Sequence, residues 1–275
     1  MKLLKFALIG LFFVGLIYWY TNQVKSKQDN DETKNIVKKN LKVDKDWRSL
    51  YVSTSANRLK NKKAPLIIFL HGLDGAWPSR KFTKPQYEVI NKFAWDNDFI
   101  AAFPQGTLGA CNNGTKEGEK YMFYYCWSTR NDRDIKFMKK IKEAVINQYG
   151  IDSEKVLLIG FSNGGYFVSN YMIKNHKNEF AGYGIHSAGG EIEKSDLINK
   201  IKNKFPISLN VGNKDKFQLD EMKKLKQDLL KLNWELDKNL NYNEYDANHE
   251  MSKSSLKKEL NFFHLITNKS KSWSW

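Results

Sequence analysis

The chain has 275 residues, with 45 Lys and Arg against 30 Asp and Glu, a formal net charge of +15. That length suits one large domain or two small ones, and 17 Phe, 13 Tyr and 8 Trp exclude a disordered chain, because so many rings need a core or a binding surface. Two cysteines exclude a disulfide-dense scaffold, no Cys/His cluster has zinc spacing, and a surplus carried by Lys rather than by the five Arg points to solvated faces instead of a nucleic-acid partner.

Lys2 and Lys5 lead into an uncharged apolar run over 6–20, closed by Tyr18, Trp19 and Tyr20 and followed by Lys25 and Lys27. Counted from Leu3, the run just reaches the length that spans a bilayer. The denser positive charge before it predicts a cytoplasmic N-terminus and an exported body, periplasmic or exterior. Positions 17–23 offer no small-residue cleavage site. Residues 1–27 therefore read as an uncleaved signal-anchor helix that meets the membrane through 3–20; the alternative is a cleaved signal and a secreted protein. Residues 28–46 are rich in Lys, Asn and Asp and read as a polar linker. Regular folding signals begin near Trp47, so one domain is expected over 47–267, with a polar, Trp-containing tail over 268–275.

From Trp47 onward short apolar runs alternate with amphipathic ones. Strands are predicted over 50–53, 66–70, 99–103, 156–160, 183–187, 207–211 and 241–245, and helices over 87–96, 134–148, 164–175 and 220–236. Strands alternating with helices of this length make an α/β domain whose mostly parallel sheet is covered on both faces. Such sheets build their sites at the carboxyl ends of the strands.

Three strand ends carry chemistry. The first is Gly160-Phe161-Ser162-Asn163-Gly164-Gly165, between an apolar strand and a helical pattern. A serine on a tight strand-to-helix turn is held exposed, with small neighbours where backbones cross and helix N–H groups near a developing oxyanion. The second is His71-Gly72-Leu73-Asp74-Gly75, a turn that can aim a backbone N–H at the same oxyanion while the imidazole holds the loop. The third is chain order: an acid and then a histidine follow an elbow serine in this architecture. Asp215 in Val211-Gly212-Asn213-Lys214-Asp215 and His249 in Ala247-Asn248-His249-Glu250 each stand just past a strand. Asp246 and Asp220 are alternative acids. His186 is the rival base, although it precedes every candidate acid; His176 lies late in a helix and His264 in a terminal helical pattern.

These residues, together with Pro65-Leu66-Ile67-Ile68-Phe69-Leu70-His71-Gly72, Phe103-Pro104-Gln105-Gly106, Cys126-Trp127 and Arg133-Asp134-Ile135-Lys136-Phe137, resemble a known family over about 47–265. It is the group of α/β-hydrolase esterases that includes secreted polyhydroxybutyrate depolymerases and feruloyl or acetylxylan esterases. The resemblance implies an α/β-hydrolase fold and ester hydrolysis with no metal or other cofactor, through an acyl-enzyme on Ser162. It also implies oxyanion donors in the N–H groups of Leu73 and Asn163. His71, Gly72, Gly160, Gly164 and Gly165 would support the site. The chain departs from the family at Arg133, where an acidic residue is usual, and at Asn248, where a glycine usually precedes the histidine.

Cys111 and Cys126 bracket a polar loop, and in an exported protein such a pair defaults to a disulfide. Trp127, Tyr124 and Tyr125 either line a substrate pocket or pack that loop. Between Ser187 and Ile207 there is room for a short helical insert but not for a large lid, so an open site for a polymeric or bulky ester is expected. A small exopeptidase and a non-catalytic, membrane-anchored scaffold on the same fold are the competing readings; oligomeric state has no signal in the sequence.

Overall fold

Ala64–Leu70 is an almost unbroken apolar run because both of its faces are covered: Leu66, Ile68 and Leu70 join one buried cluster, and Ile67 and Phe69 join another. The computed structural model describes residues 36–54, 63–75, 85–111, 122–128, 132–175, 179–190 and 204–269. The expected signal anchor, the linker before residue 36, the tail from 270 on and the stretch 191–203, on which the absence of a large lid rests, lie outside the described residues. Among those residues no helix is long and apolar enough to cross a membrane.

The elements in chain order are β1 (Ile36–Val43), β2 (Asp46–Ser53), β3 (Ala64–Leu70), β4 (Asp74–Gly75), α1 (Pro85–Asp96), β5 (Ile100–Pro104), β6 (Thr107–Leu108), β7 (Tyr124–Cys126), α2 (Asp132–Tyr149), β8 (Ile151–Phe161), α3 (Asn163–Asn175), β9 (Gly182–His186), β10 (Ile207–Gly212), α4 (Leu219–Lys231), β11 (Leu240–Tyr245) and α5 (Lys253–Lys269). Eight strands form the main sheet in the order β1-β2-β5-β3-β8-β9-β10-β11. From β5 to β11 all neighbours are parallel, while β1, β2 and β5 pair antiparallel. Helices α2, α3 and α4 cover one face through residues such as Phe137, Ile141, Phe167, Val168, Leu225 and Leu229. Helices α1 and α5 cover the other through Tyr87, Ile90, Leu256, Leu260 and Phe263. The parallel strands therefore aim the carboxyl ends of β3, β8, β9, β10 and β11 at one edge, and a short sheet of order β4-β7-β6 lies beside it.

Two segments differ from expectation. Residues 36–46, read as linker, are strand β1 and a turn at Asp44, which has a left-handed φ of 54°. Only Leu41 and Val43 of that strand pack on the core, while Lys38 and Lys42 face solvent, so its inward alternation is hidden among lysines that guard a sheet edge. Helix α4 ends at Lys231 rather than near 236. Asn233 takes a φ of 66°, and Trp234 turns inward to donate its indole N–H to the Phe205 carbonyl at 2.9 Å.

Candidate active site

Ser162 stands between β8 and α3 with a φ of 51°, a left-handed conformation that a residue with a Cβ adopts only when its surroundings impose it. The surroundings are backbone. A Cβ on Gly160 would lie 2.3 Å from the Gly164 carbonyl oxygen, and one on Gly164 would lie 2.4 Å from that of Leu70, so no larger residue fits where strand and helix cross. The Ser162 N–H donates to the His186 carbonyl at 2.9 Å, and its carbonyl accepts the Tyr166 N–H at 2.9 Å. The hydroxyl takes no part in these backbone bonds.

Two neighbouring loops meet it. Asp215 follows β10 and is 1% exposed; its Oδ1 accepts the N–H groups of Phe217 and Gln218, each at 3.2 Å. Its Oδ2 lies 2.8 Å from Nδ1 of His249, whose Nε2 lies 2.9 Å from Ser162 Oγ. A carboxylate oxygen can only accept, so Nδ1 carries the proton and Nε2 is free to receive one from the hydroxyl. The loop of the acid and that of the imidazole are joined by backbone bonds: Asn213 N–H donates to Tyr245 O at 2.8 Å, and Lys214 N–H to Ala247 O at 3.0 Å. Phe161 flanks the imidazole at 5.2 Å between ring centroids.

The alternatives do not enter this arrangement. Asp246 pairs with Lys214 on the surface at 2.6 Å, and Asp220 is exposed in the first turn of α4. His186 is fully buried with Nε2 on Glu259 at 2.5 Å. His176 and the side chain of His264 lie outside the described residues.

The Gly72 turn abuts the elbow: a Cβ on Gly72 would sit 3.2 Å from that of Ser162. Leu73, the next residue of that turn, is 39% exposed, and Asn163 opens α3 directly after the serine. His71 is buried; its Nδ1 lies 2.5 Å from the Gly72 carbonyl, and its Nε2 accepts the Gly106 N–H at 3.0 Å. The neutral ring thus ties the turn to the end of β5, as expected of a loop-holding imidazole. Gly165 packs closely on Ala188.

Of the aromatic candidates, Tyr124 is exposed and Tyr125 half-buried, but Trp127 is 3% exposed and belongs to the core. Its indole donates to the His71 carbonyl at 3.1 Å and stacks on Phe137, so it packs the His71–Gly72 turn rather than lining a pocket. The Asn163 side chain, missed in the sequence, clamps the backbone of Trp127 by accepting its N–H at 2.7 Å and donating to its carbonyl at 3.2 Å. The same Nδ2 lies 3.5 Å from Cys111 Sγ, and the Cα atoms of Cys111 and Cys126 are 6.0 Å apart, within disulfide range.

Beneath these loops lies a buried ion pair, also missed. Asp134 Oδ1 accepts from Arg48 Nη1 at 2.9 Å and from Thr107 Oγ1 at 3.0 Å, and its Oδ2 accepts the Ser128 N–H at 2.8 Å. Arg48 also donates to the Gln105 carbonyl at 3.0 Å and lies over the Phe137 ring at 4.2 Å. Burial pulls the Arg48 guanidinium below its usual pKa while Asp134 opposes the shift. Arg133, where the family usually carries an acid, faces outward to Asp46 at 3.3 Å. Among the described residues no cluster of His, Cys, Asp and Glu could hold a metal ion.

The profile of the phospholipase/carboxylesterase family matches residues 55–267. Over 125 residues, 46% of the chain, the sequence is 26% identical to the bifunctional acetylxylan esterase/xylanase XynS20E of Neocallimastix patriciarum, and the match spans only 16% of that protein. Among solved structures, a ferulic acid esterase superposes with a TM-score of 0.62 at 18% identity, over 84% of this chain and 97% of that one. A thermostable esterase superposes with a TM-score of 0.58 at 16% identity, over 85% of this chain and 63% of that one. The family profile spans most of the chain and the main sheet is a largely parallel one of eight strands, so the chain belongs to the phospholipase/carboxylesterase family of α/β-hydrolases.

Proposed function

We propose that this hydrolase cleaves carboxylic esters through an acyl-enzyme on Ser162, with His249 as general base and acid and Asp215 as the orienting carboxylate. The observation that carries the reading is the continuous contact Asp215–His249–Ser162 on a serine held at positive φ. Ser162 Oγ attacks the acyl carbon while its proton passes to His249 Nε2. The carbonyl oxygen becomes an oxyanion facing the N–H groups of Leu73 and Asn163. The imidazolium, steadied by Asp215, then gives the proton to the departing alcohol oxygen. Water attacks the acyl-enzyme by the same route, releasing the carboxylic acid and restoring the serine.

The natural ester is proposed to be bulky or polymeric: an acylated sugar, a phenolic ester or a polyester. The acetylxylan and ferulic acid esterases among the similar proteins support the first two classes. A fluorophosphonate probe is expected to label the wild type and not Ser162→Ala, with turnover of short p-nitrophenyl esters lost in parallel. Hydrolysis of aminoacyl amides in preference to esters would move the protein to the peptidase reading. Neither labelling nor turnover would leave a binding scaffold.

The export proposal rests on the apolar run over 6–20 with its flanking lysines, and it brings the disulfide with it. Closing the loop between Cys111 and Cys126, separated by 15 positions, stabilises by about 3 kcal/mol in the chain-entropy model. Cells expressing the full chain should yield it in the carbonate-resistant membrane pellet, with both cysteines bonded in non-reducing mass spectrometry. Two free thiols, or a fully soluble protein of intact mass, would count against exported, anchored placement.

A further inference from the structure

The buried polar groups behind the nucleophile have no place in the mechanism above, yet they touch both of its moving parts. Glu259 projects from α5 into the sheet, where it and His186 are wholly buried and joined at 2.5 Å between Oε2 and Nε2. His186 ends β9, and its carbonyl is the acceptor for the Ser162 N–H. The next residue, Ser187, is itself at a left-handed φ of 47°. On the other side, Tyr245 ends β11 and its hydroxyl donates to the carbonyl of Glu250 at 2.6 Å, the residue directly after His249. Ser187, Ser255 and the Glu259 charge are all near enough to influence the ionisation of that phenol. Ser255 belongs to the first turn of α5, capped by Ser252, whose Oγ accepts the Ser255 N–H at 3.2 Å.

We infer that Tyr245 and the His186–Glu259 pair are positioning residues, through which α5 sets the distance between the base and the nucleophile. The inference rests on the esterase reading for its kinetic consequence. Tyr245 fixes the carbonyl just past His249, and Glu259 fixes the strand end whose carbonyl holds the Ser162 backbone. A hydroxyl is needed at Tyr245 for this, and burial pushes that phenol up to about 12, so it remains a donor at any working pH. The reacting atoms tolerate little slack, since a displacement of about 1 Å can cost roughly 100-fold in rate.

The experiment compares Tyr245→Phe and Glu259→Gln with the wild type, using kcat per fluorophosphonate-titrated site and KM on a short ester. Each variant is expected to lose about 10- to 100-fold in kcat per titrated site with KM within about twofold. A purely structural role would lower the thermal midpoint and the titrated fraction but leave kcat per titrated site unchanged, and that result overturns the inference. A second readout does not depend on turnover: the downfield proton resonance of the His249–Asp215 hydrogen bond. It should persist in Ser162→Ala and Glu259→Gln, yet broaden or shift in Tyr245→Phe. If the resonance is unchanged in Tyr245→Phe, the inference fails whether or not the protein hydrolyses esters. If the resonance responds but the wild type turns over no ester, the esterase reading fails and the positioning role stands.

Discussion

His249→Ala is expected to lower kcat/KM on short p-nitrophenyl esters by about 10⁴- to 10⁶-fold, with little change in thermal stability. The imidazole is partly exposed, and its hydrogen bonds among the described residues are to Ser162 Oγ at 2.9 Å and Asp215 Oδ2 at 2.8 Å, so removing it leaves the core intact. Asp215→Asn should cost about 10⁴-fold, because an amide N–H placed against Nδ1 favours the tautomer with its proton on Nε2, where it cannot accept from serine. His186→Ala is the control. That side chain lies in the interior on Glu259 and does not touch the reacting atoms, so its loss should lower stability and cost the roughly 10- to 100-fold in rate of a positioning residue, far less than His249→Ala. Full activity in His249→Ala, or a larger kinetic loss in a well-folded His186→Ala, overturns the base assignment. Active-site titration beside steady-state kinetics separates the two.

Asp134→Ala is expected to destabilise the fold by about 3–5 kcal/mol, the usual cost of leaving one partner of a buried ion pair uncompensated. For a domain of this size that corresponds to a fall of about 6–20 °C in the thermal midpoint. Arg48 is 6% exposed and its guanidinium cannot give up its proton, so it would remain a buried charge with the Gln105 carbonyl and the Phe137 face beside it and the Asp46 charge acting from farther off. The same carboxylate holds Thr107 and Ser128, so the loops next to the oxyanion turn should loosen too. By contrast Arg133→Ala breaks a half-exposed pair with Asp46 and should change stability by less than about 1 kcal/mol. Differential scanning calorimetry on the pair of variants checks this; equal midpoints for Asp134→Ala and wild type would show that the buried pair contributes nothing.

The contrast between these two neighbours marks where sequence reasoning stops. Asp134 reads in the sequence as the start of an amphipathic helix, and it lies in the first turn of one that begins at Asp132, but its partner is 86 positions away on an antiparallel strand. Local pattern carries no trace of such a pairing beyond the scarcity of Arg in a Lys-rich chain. Trp127 is similar. Next to Cys126 and two tyrosines it reads equally as pocket or packing, and only its indole bond to the His71 carbonyl and its stack on Phe137 decide for packing. Strand β1 was hidden for another reason: an edge strand buries one side of every second residue, and lysines at the other positions erase the apolar contrast.

The net charge of +15 and the apolar segment beside it were legible in the sequence and remain there: four lysines flank the run over 6–20, and among the described residues others stand at exposed positions such as Lys136, Lys140 and Lys224. The sequence by itself also determined the alternation of strands and helices, the elbow around Ser162 and the order of acid and histidine. Each is a local pattern of periodicity, glycine and strand end. What only the tertiary structure decided is which carboxylate, imidazole and amide meet. Asp215, His249 and Ser162 come from three parallel strands that diverge in sequence and converge at one sheet edge. The same convergence buries Glu259 against His186 and brings Tyr245 to the loop of His249. Hydrogen bonds act over about 3 Å whatever the chain separation, so the partners of a site are fixed by packing, and packing is a property of the whole sheet and its helices rather than of any segment.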